Sequence, residues 1–465
     1  MSTNQAALGS ALDEASLTST HWRVWFLSAM GVFLDGFDLF IMAVALPLIA
    51  RDFDVSAPVL GLIGAAALIG AVVGAGVVGR LSDLFGRKVL YTIDLAFFTV
   101  FALLSGLAWD PASLIVFRFL LGVGVGADYP LSSTYITEFM PARIRGRMLV
   151  SGFSFQALGA LAGAGAGILI LLIHPEEGAW RYMLMLGVIP ALIVVILRSA
   201  LPESPRWAMA KGKGAEAAGV VSSLSGGPAQ GQEPAGEESS RQVTVREQVS
   251  YRELFSSRFV RLTILACVPW FLMDVGLYGV GFFTPTILTT LNLTGTGDFI
   301  TNDIASTEGA ALLDIFLLLG FGLAILLVDR WGRITLQVLG FGGMPAGLLL
   351  LGASSLVAEG TTTHLILVFG GFALFNLLIN MGPNATTFVL PAELFPTSVR
   401  ASAHGLAASS GKVGAAVGVF LLPIFVSWLG LGITMMLLAG TSLLGLLVTW
   451  WFGTETRGRA LDRLE

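Results

Sequence analysis

A few ionisable side chains lie deep inside long apolar stretches of this sequence, where a charge is costly. They are Asp35, Asp38, Asp128, Asp274 and Lys412. On insertion scales each charged group costs about 2.5–3.5 kcal/mol in the middle of a membrane helix, so it is expected to face a cavity or a partner. Groups of this kind bind ions or carry protons. We therefore predict that the set forms a functional site, and the alternative is structural pairing among its members.

One predicted helix carries three polar groups on a single face. Trp270, Asp274 and Tyr278 stand at positions i, i+4 and i+8, which drift by only about 40° per step around a helix. That face offers an indole N–H, a carboxylate and a phenol, a mixture that suits a polar ligand. The alternative is an aromatic pair at the end of a helix.

Lys412 is the candidate for charge recognition, because a compact cation at membrane depth suits an anionic group. Neutralising one of the aspartates is its alternative role. If Asp274 is protonated it can donate to an anion, and if it is ionised it can accept a hydrogen bond from a substrate that keeps its own protons. Dihydrogen phosphate has such protons at neutral pH and sulfate does not. We therefore predict that phosphate and arsenate bind and that sulfate does not.

The elements that position these groups are long apolar segments. The chain has 465 residues, of which 55% are hydrophobic and 12% are charged, whereas a soluble protein has about 25% charged residues. A membrane helix needs about 20 predominantly apolar residues. Twelve segments approach or exceed this length: 22–50, 58–80, 89–109, 112–138, 147–173, 181–200, 259–291, 309–328, 334–354, 363–392, 400–428 and 431–453. The sequence therefore predicts an all-α membrane protein with 12 transmembrane helices.

A polar stretch divides these segments into two sets of six. The predicted units are an N-terminal tail (1–21), an N-terminal six-helix bundle (22–200), a linker (201–258), a C-terminal six-helix bundle (259–453) and a C-terminal tail (454–465). Within the linker, the composition from Gly212 to Ser240 predicts a flexible segment. Placing both termini in the cytoplasm leaves most of the 26 Lys and Arg residues on that side, as the positive-inside rule requires.

The two halves repeat a pattern of charges at the ends of their segments. Asp83 and Arg87 after the second segment match Asp329 and Arg333 after the eighth, and Glu138 and Arg145 after the fourth match Glu393 and Arg400 after the tenth. Two matches at equivalent places predict a duplicated, pseudo-symmetric six-helix unit. In transporters built from repeats, the substrate site lies near the midplane between them.

Several of these stretches resemble a known superfamily. The run from Gly79 to Lys88 is similar to the loop 2–3 signature of the major facilitator superfamily, and Pro202 to Trp207 resembles a segment of its sugar-porter-like branches. Within the superfamily, further stretches resemble the phosphate:proton symporter family: Gly124–Ser132, Trp270–Gly279, Gly382–Phe388 and Ala403–Gly414. The first of them has Ala127 where that family usually has Gly.

The resemblance implies a set of site residues. A phosphate site would comprise Tyr129, Gln156, Trp270, Asp274, Tyr278, Asn384 and Lys412. Asp35 and Asp128 match the proton-path aspartates of the family, and Asp38 shares a helix face with Asp35, as a relay or as a structural acceptor. Asp274 would bind the anion and also couple its transport to protons. Asp83 and Arg87 would form a cytoplasmic latch, and we expect Glu138 with Arg145, Glu393 with Arg400, and Asp329 with Arg333 to act as further gates that break when access changes.

The sequence thus predicts a proton-coupled importer of inorganic phosphate that works by alternating access, is monomeric, and spans a plasma membrane or a bacterial inner membrane. The alternatives are a transporter of another small anion or metabolite on the same fold, a nutrient receptor, or a drug/proton antiporter. We do not expect an enzyme, since no catalytic triad or Cys/His pair is visible. The expected partners are the anion, protons and the lipid bilayer, with no metal, cofactor or nucleic acid.

Overall fold

The computed structural model describes residues 3–225, 251–290, 299–358 and 361–459. Short 3-10 turns lie at Glu177–Ala179, Tyr251–Phe255 and Ser354–Leu356. The α-helices of the described ranges are α1 (Thr3–Glu14), α2 (Ser19–Asp52), α3 (Ala57–Phe85), α4 (Arg87–Gly106), α5 (Pro111–Phe139), α6 (Arg145–Phe153), α7 (Phe155–Ile173), α8 (Trp180–Leu186), α9 (Val188–Ser199), α10 (Pro205–Ala210), α11 (Gly214–Ser225), α12 (Val260–Thr290), α13 (Phe299–Trp331), α14 (Arg333–Ala353), α15 (Thr362–Met381), α16 (Pro383–Leu394) and α17 (Arg400–Phe452).

These helices supply twelve spans that are long and apolar enough to cross a membrane. Six lie in α2–α9 and six in α12–α17, so the predicted all-α fold with two six-helix bundles is confirmed. α17 carries two spans, because its path breaks at Gly430, where φ is 79°. This left-handed conformation favours glycine. The predicted seventh segment ended at residue 291, which lies outside the described residues.

Local signals set the ends of several spans. α5 begins with Asp110 as N-cap, whose carboxylate accepts a hydrogen bond from the Ser113 amide at 2.7 Å, and Pro111 follows in the first turn. α3 and α13 are each followed by a glycine with positive φ, namely Gly86 (112°) and Gly332 (94°). The backbone therefore turns in the same way at equivalent places in the two halves.

A carboxylate caps the helix after each of these glycines. Glu203 accepts a hydrogen bond from the main-chain N–H of Arg87 at 3.0 Å, and Glu455 accepts one from Arg333 at 3.1 Å. Negative charge at a helix N-terminus is favourable. Burial nevertheless raises the pKa of Glu203, against the effect of its amide donors. Glu203 and Glu455 thus cap equivalent helices, which is a third correspondence between the halves.

The side on which α3, α5, α13 and α16 end is called the terminal face, since residues near both chain ends contact it. Asp13 pairs with Arg145 and Arg206 there, and Glu455 caps α14. The side on which α4 and α14 end is called the opposite face. These names assign neither face to a compartment.

The prediction of a flexible segment from Gly212 to Ser240 was wrong for its first part. Residues 214–225 form α11, and Ala217, Val221 and Leu224 on this helix are buried. α1 packs against α11 and contributes the buried Leu12. Apolar side chains spaced at three and four residues gave this helix a face to bury, which the polar composition around them obscured. Residues 226–240 lie outside the described residues.

Candidate functional site

Five side chains from five helices meet between the two halves. They form the central cluster: Asp35 (α2), Tyr129 (α5), Gln156 (α7), Tyr278 (α12) and Lys412 (α17). Lys412 Nζ donates to Tyr129 Oη at 2.9 Å and to Tyr278 Oη at 2.7 Å. Because Tyr129 belongs to the first bundle and Tyr278 to the second, one ammonium group bridges the bundles.

Asp35 is the acceptor on the N-terminal side of the cluster. Its Oδ2 accepts from Tyr129 Oη at 2.5 Å and from Gln156 Nε2 at 2.9 Å, and it lies 4.0 Å from Lys412 Nζ. Gln156 Nε2 also lies 2.9 Å from Tyr129 Oη. The carboxylate and the ammonium therefore share a phenol and lie at ion-pair distance. Four of the seven residues expected to bind substrate, and one expected to carry protons, are in one network.

Lys412 lies at the middle of the candidate span Arg400–Leu422. Lys412 is twelve residues beyond Arg400, the first residue of α17 at the terminal face, which corresponds to about 18 Å along a helix. The hydrocarbon core of a bilayer is about 30 Å thick. Because Lys412 and Tyr129 are both almost fully buried, water does not solvate the ammonium group, and its charge depends on its protein partners.

Trp270 and Asp274 border the cluster on α12. The two side chains lie one turn apart on this helix, and both are almost fully buried. A side chain at Gly411 would collide with both residues, so this glycine lets α17 approach them. Gly414 lies against a main-chain carbonyl of α12 in the same way. The predicted polar face of α12 thus points at α17.

Asn384 is placed apart from the cluster. Its Nδ2 donates to Asn380 Oδ1 at 2.7 Å, and no hydrogen bond within the described ranges joins it to the five cluster residues. Phe388, one turn later on α16, packs at 6.3 Å between ring centroids on both Tyr129 and Trp270. Asn384 is therefore next to an aromatic wall of the site.

Two of the predicted proton carriers have arginine partners. Asp38 Oδ1 accepts from Arg118 at 2.7 Å, and Asp128 Oδ1 accepts from Arg198 at 2.6 Å. Arg198 also lies 3.6 Å from Asp94 on α4. Asp128 therefore points into the N-terminal bundle, although its neighbour Tyr129 points at Lys412. Successive helical residues differ by about 100°, so adjacency along the chain did not bring them together.

Sequence reasoning missed Asp94, Arg118 and Arg198 as parts of buried charge pairs. The two arginines are almost completely buried, whereas their positions near segment ends suggested anchoring at the membrane surface. Asp94 lies within a predicted segment, and that depth was the available signal.

A cavity of about 10 Å³ adjoins Asp35, Asp38 and Lys412, which is room for about one water.

Charged groups close the terminal face between the halves. Glu138 is fully buried and accepts from Arg87 and from Arg400, each at 3.2 Å. Arg400 belongs to the second bundle, so this pair crosses the interface. Arg87 also pairs with Asp83 at 2.8 Å, within the first bundle. We call Asp83, Arg87, Glu138 and Arg400 the gate network.

Other hydrogen bonds cross at the same level. Asp83 Oδ2 accepts from the Ser402 amide at 2.8 Å and from Ser402 Oγ at 2.6 Å. Asp329 Oδ2 accepts from the Arg147 amide at 3.0 Å. Since these bonds join α3 to α17 and α13 to α6, the terminal face is closed in this structure.

The expected pairing of Glu138 with Arg145 and of Glu393 with Arg400 was wrong. Glu393 pairs with Arg333 at 2.8 Å, and Arg333 also bonds Asp329 at 3.0 Å. Arg145 instead bonds Asp13, in the N-terminal tail. The chain turns between each glutamate and the arginine seven residues later, so these two side chains do not meet. Each glutamate instead pairs with the arginine that begins the preceding span, Glu138 with Arg87 of α4 and Glu393 with Arg333 of α14.

Comparisons with known proteins agree with this architecture. A family model described as sugar (and other) transporter matches residues 24–465. The putative metabolite transport protein YaaU of Escherichia coli (strain K12) is 32% identical, over 97% of this chain and 95% of its own length. The probable inorganic phosphate transporter 1-6 of Arabidopsis thaliana is 30% identical, over 99% of this chain and 96% of its own.

Solved structures show the same fold. The proton:xylose symporter XylE bound to 6-bromo-6-deoxy-D-glucose superposes with a TM-score of 0.79 at 24% identity, over 96% of this chain and 98% of that one. The inward-open form of XylE from E. coli gives a TM-score of 0.67 at 23% identity, over 96% and 99%. The chain therefore belongs to the sugar (and other) transporter family, within the major facilitator superfamily.

Proposed function

We propose that this transporter carries out proton-coupled uptake of inorganic phosphate by alternating access. The observation that supports it best is Lys412, a buried ammonium group at mid-membrane depth whose hydrogen-bond partners are the phenols of Tyr129 and Tyr278. In the proposed cycle, the oxygens of an oxyanion replace these phenols as partners of the ammonium group. The similarity to a probable inorganic phosphate transporter over nearly the whole chain supports the same substrate.

Substrate binding requires the cluster to rearrange. A cavity of about 10 Å³ is too small for a tetrahedral oxyanion. When the side chains part, Lys412, Gln156, Trp270 and the two tyrosines offer donors to the phosphate oxygens. Asp274 accepts a hydrogen bond from an O–H group that dihydrogen phosphate still carries, and a fully deprotonated sulfate has no such group. Asn384, next to the aromatic wall, joins the site when Phe388 moves.

Proton coupling follows from the position of Asp35. Its carboxylate lies 4.0 Å from Lys412 Nζ and competes with a substrate anion for that positive charge. A proton on Asp35 removes the competitor, so protonation and anion binding favour each other. Co-transported protons also offset the cost of moving an anion into a negative-inside cell, about 2.3 kcal/mol per charge per 100 mV. Asp38 and Asp128 are proposed to take up and release protons when they part from Arg118 and Arg198, which remain charged.

The terminal face is proposed to be cytoplasmic. Residues near both chain ends contact it, and the proposed orientation gives the cytoplasmic side most of the basic residues. In this orientation the gate network closes the cytoplasmic side, and Asp83, Arg87, Asp329 and Arg333 hold that state together with Glu138, Arg145, Glu393 and Arg400. The opposite face is then extracellular or periplasmic, and the protein acts as a monomer in a plasma membrane or a bacterial inner membrane.

Transport of another small metabolite is the second candidate. The family model covers sugar and other transporters, and the similar YaaU is a putative metabolite transport protein. Amide, phenol and indole groups also bind sugar hydroxyls. A sugar, however, would leave the charge of Lys412 to be balanced by Asp35 throughout the cycle.

Uptake of radiolabelled phosphate into proteoliposomes, with and without an inward proton gradient, tests the proposal. We expect uptake that the gradient stimulates, competition by arsenate, and none by sulfate or xylose. Lys412→Ala should abolish uptake, while Lys211→Ala, which removes an exposed lysine outside the spans, should leave it unchanged. Absence of phosphate uptake in protein that does accumulate a sugar or an organic acid would favour the second candidate.

A further inference from the structure

Asp314 is a carboxyl group in the membrane layer that the proposed mechanism does not use. It lies in α13, inside the span Thr307–Trp331. Its Oδ2 is buried and has no hydrogen-bond partner among the residues that the structure describes, while the residue as a whole is partly exposed. Asp38 and Asp128, which also lie inside spans, each have an arginine within 2.7 Å. The Oδ2 of Asp314 differs from these two carboxylates in having no donor.

The face of α13 that carries Asp314 meets the N-terminal bundle. Phe321, two turns further along this face, packs on Phe153 of α6 with ring centroids 5.8 Å apart. Phe153 in turn contacts Tyr129, so Phe321 marks the level of the central cluster. Toward the opposite face, Ile304 packs against the apolar core of α2, α7 and α8. Asp314 lies between these contacts, about 10 Å from Phe321 along the helix.

Few charged groups of the neighbouring helices are available to Asp314. α7 has no ionisable residue, and α15 has only His364, which is buried and hydrogen-bonded to the Ser354 carbonyl near the opposite face. The remaining described charged groups on the packed helices belong to the sites described above or lie at helix ends: His21, Arg23, Asp35, Asp38, Arg51 and Asp52 of α2, Arg261, Asp274 and Tyr278 of α12, and the terminal-face arginines Arg145, Arg147 and Arg333 of α6 and α14. On α13 itself, Glu308 is exposed, and Asp329 and Arg330 lie at the terminal face.

An ionised carboxylate without a partner is expensive in such a place. Removing one charge from water costs several kcal/mol even after relaxation. When the halves separate on the opposite side, water reaches this face of α13 and the cost disappears. Closure on that side is therefore favoured only when the carboxyl holds a proton.

We propose that Asp314 is a second proton-binding site, located in the contact between the halves on the opposite side, and that its protonation permits this contact to close. The inference deepens the proposed function, since it rests on alternating access and proton coupling, but it does not depend on phosphate as substrate. Proton binding to Asp314 is then a condition for closure of the opposite side, in addition to the effect that protonation of Asp35 has on Lys412.

Distances across the opposite face, measured by pulsed electron paramagnetic resonance in nanodiscs without substrate, test this inference. Spin labels are placed at Ala112→Cys and Leu356→Cys, two exposed positions in different halves, in a Cys267→Ser background. Between about pH 8 and about pH 5, we expect the short-distance population to grow in otherwise unmodified protein. In Asp314→Asn it should be large at both pH values, so that the pH response is lost.

Two further variants make the result specific. Glu308→Gln makes the same chemical change at an exposed position of the same helix and should keep the full response, and Asp314→Glu should keep a response because it keeps a carboxyl. An Asp314→Asn variant that still responds as the parent does, or a parent that shows no response, would overturn the inference. Phosphate uptake is measured separately, so failure of the phosphate proposal leaves this result interpretable.

Discussion

Replacing Glu138 by Gln tests whether the gate network holds the terminal face closed. The carboxylate of Glu138 is fully buried and accepts from Arg87 and Arg400. Only the bond to Arg400 crosses between the halves. The bond to Arg87 lies within the first bundle and therefore persists when the halves separate. The variant should thus destabilise the closed form relative to the open one mainly through Arg400.

The size of the effect follows from what remains after the substitution. Removing one partner of a buried ion pair costs about 3–5 kcal/mol, because the other charge stays buried. Arg87 keeps Asp83 at 2.8 Å, and Arg400 keeps a hydrogen bond to Thr397 Oγ1 at 3.0 Å. The neutral amide of glutamine also retains some hydrogen bonding. We therefore expect the lower limit, about 3 kcal/mol, which moves the closed-to-open ratio by about two orders of magnitude.

The measurement is the distance distribution between spin labels at Arg143→Cys and Ser398→Cys, which are exposed on the terminal face in different halves. With Cys267 replaced, Glu138→Gln should convert a mostly short distribution into a mostly long one. Glu253→Gln, at an exposed glutamate on the same face, is the matched control. If both variants gave the same short distribution, the gate network would not be what keeps this face closed.

Three further predictions concern coupling, packing and a helix cap. Asp35→Asn should abolish the stimulation of uptake by a proton gradient, measured as the ratio of uptake with and without it. Gly414→Leu should lower the thermal unfolding midpoint, since overpacking costs about 1–3 kcal/mol, whereas Gly440→Leu, in open space on the same helix, should not. Asp110→Ala should lower the unfolding midpoint at neutral pH. Hydrogen bonds from Ser113 hold the pKa of Asp110 below its usual value, so the ionised cap stabilises the fold above about pH 4. The difference between variant and parent should vanish as the pH falls through that lowered pKa.

The sequence predicted those parts of the molecule that depend on local patterns. Hydrophobic length gave the twelve spans, and the i, i+4, i+8 spacing placed Trp270, Asp274 and Tyr278 on one face of α12. The repeat of Asp83 with Arg87 and of Asp329 with Arg333 is a local pattern as well, and each pair forms at i, i+4 within its half. Such features need no knowledge of how helices are rotated against one another.

Partners across helices could not be predicted in this way. Asp128 and Tyr129 are neighbours in sequence but point to different sides of α5, and the rotation of that helix decides which of them meets Lys412. Arg145 was assigned to Glu138, yet its partner is Asp13, more than a hundred residues away in the tail. Asp314 shows no signal beyond its depth, because what distinguishes it is the lack of a donor to its Oδ2 among the described residues in three dimensions.

The central cluster and the gate network are joined by the same two helices. α5 carries Tyr129 and Glu138, about 14 Å apart, and α17 carries Lys412 and Arg400, about 18 Å apart. These helices therefore touch twice across the interface, at 2.9 Å in the cluster and at 3.2 Å in the gate network. Pro130 interrupts the hydrogen bonding of α5 between these two residues, whereas α17 has no proline between Arg400 and Lys412. If a substrate separates Lys412 from Tyr129, we expect α17 to tilt against α5 and the bond between Arg400 and Glu138 to weaken. Communication between the binding site and the gate then requires no relay of side chains, because a change of partner at one contact alters the geometry of the other.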